Sequence, residues 1–330
     1  MSLIIPAPKP LVRLVSAIHK GLRVVFFGTP LIAVSSLRRL HADGWPVAMV
    51  VTAPDKPVGR KLMLTPSAVK TAAEELELPV RTPMNLKDEE FWREFSELRP
   101  DICIVVAYGK LLPKRYLDVP RLGFVNVHPS LLPAYRGPSP IQTAMLDGCA
   151  STGVSLMLLD EDMDHGPLLT TEPWTIPAGL DAPAATDELG RLGADLLART
   201  LPGYVAGAVT PAPQDHTQAT FTKKFERVDG RLDWTQPANR IGDRIRALAA
   251  NPGTWTTFND KTLNIFHAHV ADDALPGNAP GTVFLHGTSV AVATGAGALI
   301  LETVQLEGST RMDAAAFVRG RPSFVGAKLT

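Results

Sequence analysis

The stretch FVNVHPSLLPAYRGPSPIQ, residues 124–142, sets an amide and an imidazole two residues apart in an apolar run, as Asn126 and His128. Strand side chains alternate, so the two share a face, roughly 6.6–6.8 Å apart along the strand. A strand that only filled a core would not carry both. Together an amide and an imidazole can donate to one developing oxyanion, as acyl-type transfer requires. A carboxylate would complete the set, by orienting the ring or moving a proton. LLDEDMDHGP offers Asp160, Glu161, Asp162 and Asp164, and spacing alone does not choose among them. The bland alternatives are a satisfied buried pair and a solvated acidic loop. No second His or Cys lies at ligand spacing, which argues against zinc and leaves no metal expected. The first strand exits as FFGTP, with Gly28 in place of the glycine-rich dinucleotide fingerprint, which argues against NAD.

These residues need a scaffold that brings strand ends together. LRVVFFG, WPVAMVVTAPD, DICIVVAYG, GFVNVHPS and TGVSLMLLDEDMD read as strands. Between them lie helical patterns: TPLIAVSSLRRLHADG, PSAVKTAAEELEL with Ser67 as its cap, and DEEFWREFSELRP. Continuous apolar strands alternating with helices predict an α/β, Rossmann-like, doubly wound and mostly parallel sheet, with ligands at the strands' carboxyl ends. KPVGRKLMLTPS reads as a basic loop, and DELGRLGADLLARTLPGYVAG as a closing helix. Residues 211–225 are polar and contain prolines, so they read as a linker. After one further helix, ANRIGDRIRALAAN, the texture turns to short strands between turns, the signature of a small β-barrel.

The chain has 330 residues, 45% of them hydrophobic and 20% charged, as expected for a soluble protein of two domains. Its formal net charge of +0 gives no global field for nucleic acid, so any such surface must be local. Cys103 and Cys149 are far apart, which favours a reduced, cytoplasmic-type protein. No apolar run reaches the roughly 18 residues of a membrane helix. The first 21 residues are basic and broken by Pro6, Pro8 and Pro10, so they read as a disordered extension, with an organelle presequence the lesser reading.

NVHPSLLPAYRGPSPIQ resembles the signature of the folate-dependent formyltransferases: Asn-x-His, then SLLP, then an aromatic residue, Arg and Gly. FFGTPLIAVSSL, APDKPVGRKL, VVAYGKLLP, TGVSLMLLDEDMDHG, RLDW and PGTVFLHGTSVAVATGAGALILETVQLEG extend the resemblance from residue 22 to the end, toward the branch acting on methionyl-tRNA. The resemblance implies 10-formyltetrahydrofolate as co-substrate and initiator methionyl-tRNA as acceptor. It implies that Asn126, His128 and Asp164 are catalytic, which selects one acid of the four. It assigns Ser130, Leu131, Leu132 and Pro133 to folate, as a rigid wall with free backbone groups for a flat pterin. It assigns Lys56, Arg60 and Lys61 to the tRNA acceptor end. The domains it implies are a catalytic domain over 22–206, a linker over 207–222 and an oligonucleotide-binding-like barrel over 223–330. Lys223, Lys224, Arg227, Arg231, Arg240, Arg244 and Arg246 gather at the barrel's start. No obligate protein partner or membrane is implied, and a monomer is expected. Pro129, His165 and Pro167 depart from the family pattern beside the site. A formyltransferase acting on an amino-sugar nucleotide, a formyl-folate hydrolase and a non-catalytic binding protein are the competing readings.

Overall fold

The computed structural model describes residues 21–58, 62–271 and 277–330. The N-terminal extension, but for Gly21, and the candidate contacts Arg60 and Lys61 lie outside the described residues. The chain divides into two compact units. The first runs to Pro138 and takes in Thr152–Trp174 and Thr186–Phe221; the second comprises Ser139–Ser151, Thr175–Ala185 and Thr222–Thr330.

The first unit is built on β1 (Val24–Gly28), β2 (Val47–Val51), β3 (Lys56–Val58), β4 (Met63–Thr65), β5 (Val80–Arg81), β6 (Ile102–Val106), β7 (Phe124–His128), β8 (Ser151–Leu158) and β9 (Leu168–Thr175). Seven of these form one sheet in the order β5-β2-β1-β6-β7-β8-β9. Pairings from β5 to β7 are parallel, and β8 runs antiparallel to β7. Every residue of β1, β6 and β7 is buried, as uninterrupted apolar strands covered on both faces must be. The chain winds outward from β1 to β5, then returns to lay β6 on the other side of β1, which creates a switch point where such sheets bind ligands. Thr29 Oγ1 donates to the Tyr108 carbonyl across that point at 3.2 Å.

Helices α1 (Ile32–Ala42), α2 (Ala68–Glu75) and α3 (Glu89–Leu98) follow the expected patterns. Ser67 caps α2, accepting from the Lys70 N–H at 3.0 Å. One core cluster runs from Phe27 through Phe95 and Tyr116 to Phe124, with ring centroids 5.1–6.3 Å apart. The stretch expected as a loop after Asp55 contains the hairpin β3–β4, with Lys56 opposite Thr65 and Pro57 opposite Leu64. A pair this short carries too little periodicity to stand out from a loop. Two further elements lacked a clear sequence pattern: β9, and the short helix Pro140–Leu146.

In the second unit, β10 (Thr254–Phe258), β11 (Lys261–Val270), β12 (Val283–His286), β13 (Ser289–Ala293) and β14 (Ala298–Leu306) pair antiparallel in the order β10-β11-β14-β13-β12. The C-terminal strip joins the two edges. Leu329 N–H donates to the Gly281 carbonyl beside β12, and Thr330 exchanges bonds with Thr257 of β10. Pairing the edges in this way gives the barrel-type closure the strand pattern predicts. Its core holds Trp234, Phe258, Phe317 and Phe324.

Candidate active site

Asn126 and His128 lie on one face at the carboxyl end of β7, 8% and 5% exposed. The loop after β8 delivers Asp164 to them, and of the four acids only Asp164 reaches the pair. Asn126 Nδ2 lies 3.4 Å from Asp164 Oδ1, and His128 Nδ1 lies 3.6 Å from the same oxygen. Asp160 instead meets the His165 ring at 2.7 Å, Glu161 lies 3.3 Å from Lys114, and Asp162 is exposed.

The two oxygens of Asp164 are held differently. Oδ2 accepts the Gly137 N–H at 2.7 Å, a firm charge-assisted bond. Among the described residues, Oδ1 is met only by the two long approaches from Asn126 and His128, so it is the less firmly held of the two oxygens. His128 Nε2 is 3.0 Å from the Tyr135 carbonyl. A carbonyl only accepts, so Nε2 carries a hydrogen and Nδ1 is the nitrogen that faces Asp164.

The backbone at Asp164 is left-handed, with φ +49°. Two residues on, a Cβ at Gly166 would sit 2.0 Å from the Leu158 carbonyl, so this turn admits glycine alone. Gln214 closes it from the far side: Nε2 donates to the Asp164 and Gly166 carbonyls at 2.9 and 2.7 Å. Its Oε1 accepts from Arg136 Nη2 at 2.7 Å, and Arg136 also lies 2.8 Å from His216 Nδ1. Thus 207–221, within the stretch that reads as a linker, holds the acid's loop. Leu168 and Ala212 exchange backbone bonds at 2.8 Å, and the Arg136 N–H donates to the Thr220 carbonyl at 2.9 Å. Nothing in the sequence singles out Gln214, an isolated amide in a polar stretch; Arg136 and Gly137 belong to the signature, but their roles appear only in the fold. His165 directs its nitrogen to Asp160 rather than Asp164, and its ring stacks on His216 at 4.0 Å.

The SLLP segment forms a tight wall beside the site. Ser130 Oγ donates to the Ala134 carbonyl at 2.7 Å. Ser155 Oγ donates to the Ser130 carbonyl and accepts the Leu132 N–H, at 2.7 and 3.0 Å. The Ser130 N–H donates to the His128 carbonyl and the Ala134 N–H to the Leu131 carbonyl. The expectation of free backbone groups therefore fails for these donors, which neighbouring carbonyls and Ser155 already use. Ser130 and Leu132 are buried; Leu131 and Pro133 are half-buried.

Among the described residues no three His, Cys, Asp or Glu side chains converge to hold a metal ion. Lys56 is exposed on β3, and the neighbouring Leu62, Met63 and Leu64 are 65–70% exposed. In the second unit Arg244 donates to the Asp229 carbonyl, and Arg246 binds Asp243 and the Leu180 carbonyl. Arg227 and Arg231 flank the Trp255 ring at 5.6 and 5.7 Å. No described helix is long and apolar enough to cross a membrane.

Residues 22–201 match the formyl transferase family model, and 224–322 match the formyl transferase C-terminal domain. The chain is 47% identical to the methionyl-tRNA formyltransferase of Roseiflexus castenholzii over 301 residues, 91% of this chain and 96% of that protein. Among solved structures it resembles an N-formyltransferase from Helicobacter canadensis, crystallised with folinic acid and dTDP-3-aminofucose. That likeness has a TM-score of 0.65 and 16% identity over 88% of this chain and 100% of that one. It also resembles HypX from Aquifex aeolicus in complex with tetrahydrofolic acid, with a TM-score of 0.61 and 18% identity over 90% of this chain. This chain spans about half of HypX, 47% of its length. At these identities the two structures show a shared fold.

Proposed function

The chain belongs to the formyl transferase family, and we propose that it moves the formyl group of 10-formyltetrahydrofolate to the α-amine of methionine on initiator methionyl-tRNA. The carrying observation is the convergence of Asn126, His128 and Asp164 at one strand end, in a chain nearly half identical to a methionyl-tRNA formyltransferase along almost its whole length.

The amine attacks the formyl carbon, the N–C bond forms, and the carbonyl oxygen gains negative charge. Asn126 Nδ2 and the His128 ring stabilise that oxyanion. Donors fixed before the reaction do this without reorganisation. Asp164 Oδ1 takes the proton of the attacking amine. The oxyanion then collapses to the new formyl carbonyl, the C–N10 bond breaks, and Asp164 passes the proton it took to N10, which leaves as the secondary amine of tetrahydrofolate. Leu131 and Pro133 flank the pterin. Lys56, Arg60 and Lys61 meet phosphates of the acceptor end, and the barrel of 223–330 binds the tRNA body. The catalytic domain is 22–206, and the protein works as a cytoplasmic monomer.

The test is formyl transfer from 10-formyltetrahydrofolate to charged initiator tRNA, elongator methionyl-tRNA and an amino-sugar nucleotide. Transfer to the initiator tRNA alone is expected. Transfer to the sugar, or formate release without an acceptor, overturns the acceptor assignment.

A further inference from the structure

Gln214 is 5% exposed, and each polar atom of its amide has a fixed partner. Two carbonyls face Nε2 and can only accept, while the Arg136 guanidinium faces Oε1 and can only donate. The reversed amide would break all three bonds, so the side chain has one orientation. Arg136 is itself 3% exposed, and its bonds to Gln214 and His216 reach no carboxylate. A buried cation bonded in this way fixes whatever it touches, because losing a partner leaves its charge desolvated. Arg136 also precedes Gly137, whose N–H anchors Asp164 Oδ2. The chain from Arg136 therefore grips the acid twice, at its carboxylate through Gly137 and at its backbone through Gln214.

We propose that Gln214, held by Arg136, is a positioning residue for Asp164: it fixes the left-handed turn that keeps Oδ1 facing Asn126 and His128. This rests on Asp164 being the proton acceptor of the reaction above. Gln214 touches no reacting atom, and its effect runs through the placement of one oxygen. A displacement of about 1 Å at a reacting group can cost on the order of 100-fold in rate.

The experiment is a double-mutant cycle in the full-length enzyme with initiator methionyl-tRNA and 10-formyltetrahydrofolate, kinetics being normalised to folded protein. Gln214→Ala is expected to lower kcat about 10- to 100-fold, with KM for both substrates changed by less than about threefold. In an Asp164→Asn background the same substitution is expected to cost less than about twofold more, since the oxygen it positions is no longer a base. Gln214→Glu keeps the length and the Arg136 partner but has no donor for the carbonyls; it is expected to follow Gln214→Ala, and it stands in if the alanine variant does not fold. An equal kcat loss in both backgrounds would mean a purely structural role and overturn the proposal, as would an unchanged kcat or an effect on KM alone. If Asp164→Asn itself leaves kcat intact, the mechanism under Proposed function fails, and this inference with it.

Discussion

The two units bury polar groups in opposite ways. In the first unit, Asn126, His128, Ser130, Arg136, Ser155 and Gln214 are all buried around the carboxyl end of β7. Within 222–330 of the second unit the buried polar residues are threonines that serve the fold. Thr254 Oγ1 donates to the Ile265 carbonyl, Thr256 ties Trp234 to the C-terminal strip, and Thr294 satisfies the carbonyls of a turn. Hydroxyls that close a barrel need only neighbouring backbone. Groups that stabilise a transient charge must be aimed at a place no protein atom fills, so their own partners have to hold them from behind. The first unit thus gathers most of its buried polar side chains at one strand end, while the buried threonines of the second close its barrel.

That contrast separates the kinds of damage each unit should show. Phe324 is fully buried between Phe258 and Phe317, with centroids at 4.9 and 5.0 Å. Phe324→Ala is expected to cost about 3–5 kcal/mol, read as a lowered denaturant midpoint, with kcat of the remaining folded enzyme unchanged. A selective kcat loss would break the comparison. Asn126→Ala should do the reverse: kcat falls about 10²–10³-fold with little change in melting temperature and with tRNA affinity retained. Retained kcat would remove Asn126 from the oxyanion site.

How far the sequence foretold this also differs between the units and within the site. The strands β1, β6 and β7 were legible because burial on both faces forces continuous apolar runs. Asn126 and His128 were legible because polar side chains on such a strand are anomalous. Asp164 was not separable from its three acidic neighbours, since what distinguishes it is a left-handed turn and the Gly137 N–H, neither of which is a local pattern. Gln214 was invisible for a stronger reason: its partners at 136, 164 and 166 are brought to it only by the tertiary fold. The hairpin β3–β4 was lost among loop residues because short strands carry almost no periodicity.

A smaller effect belongs to the base of the first sheet. Asp101 accepts from the Arg23 N–H and from Arg121, both at 2.8 Å. Burial pushes the Asp101 carboxyl up, but these bonds to its charged form outweigh burial and hold it below the ordinary carboxylate value. A carboxyl depressed in the folded state stabilises above its unfolded value of 3.8 and loses that contribution as pH falls through the folded one. Asp101→Asn is therefore expected to cost about 1 kcal/mol at neutral pH, the exposed Arg121 being screened, and the difference from the parent should close in acid. A pH-independent difference would mean that the ionised form contributes nothing.

The smallest effect tests the surface against the buried site. Burial lowers the pKa of the Lys110 amine, and the positive charge of Lys56 lowers it further, so two cations share the neighbourhood of β3. Lys110 donates to the Pro83 and Met84 carbonyls, at 2.8 and 3.0 Å, and is tied down, whereas Lys56 is exposed and available to a phosphate. Lys56→Ala is expected to weaken tRNA binding a few-fold and to reduce the salt dependence of binding by about one unit of slope, with kcat unchanged. The Lys110 amine should rise only part of the way toward its ordinary value, because its burial remains. If the substitution lowered kcat and left the salt slope alone, Lys56 would be acting on the chemistry, and the division between an aimed, buried site and an electrostatic, exposed hairpin would not hold.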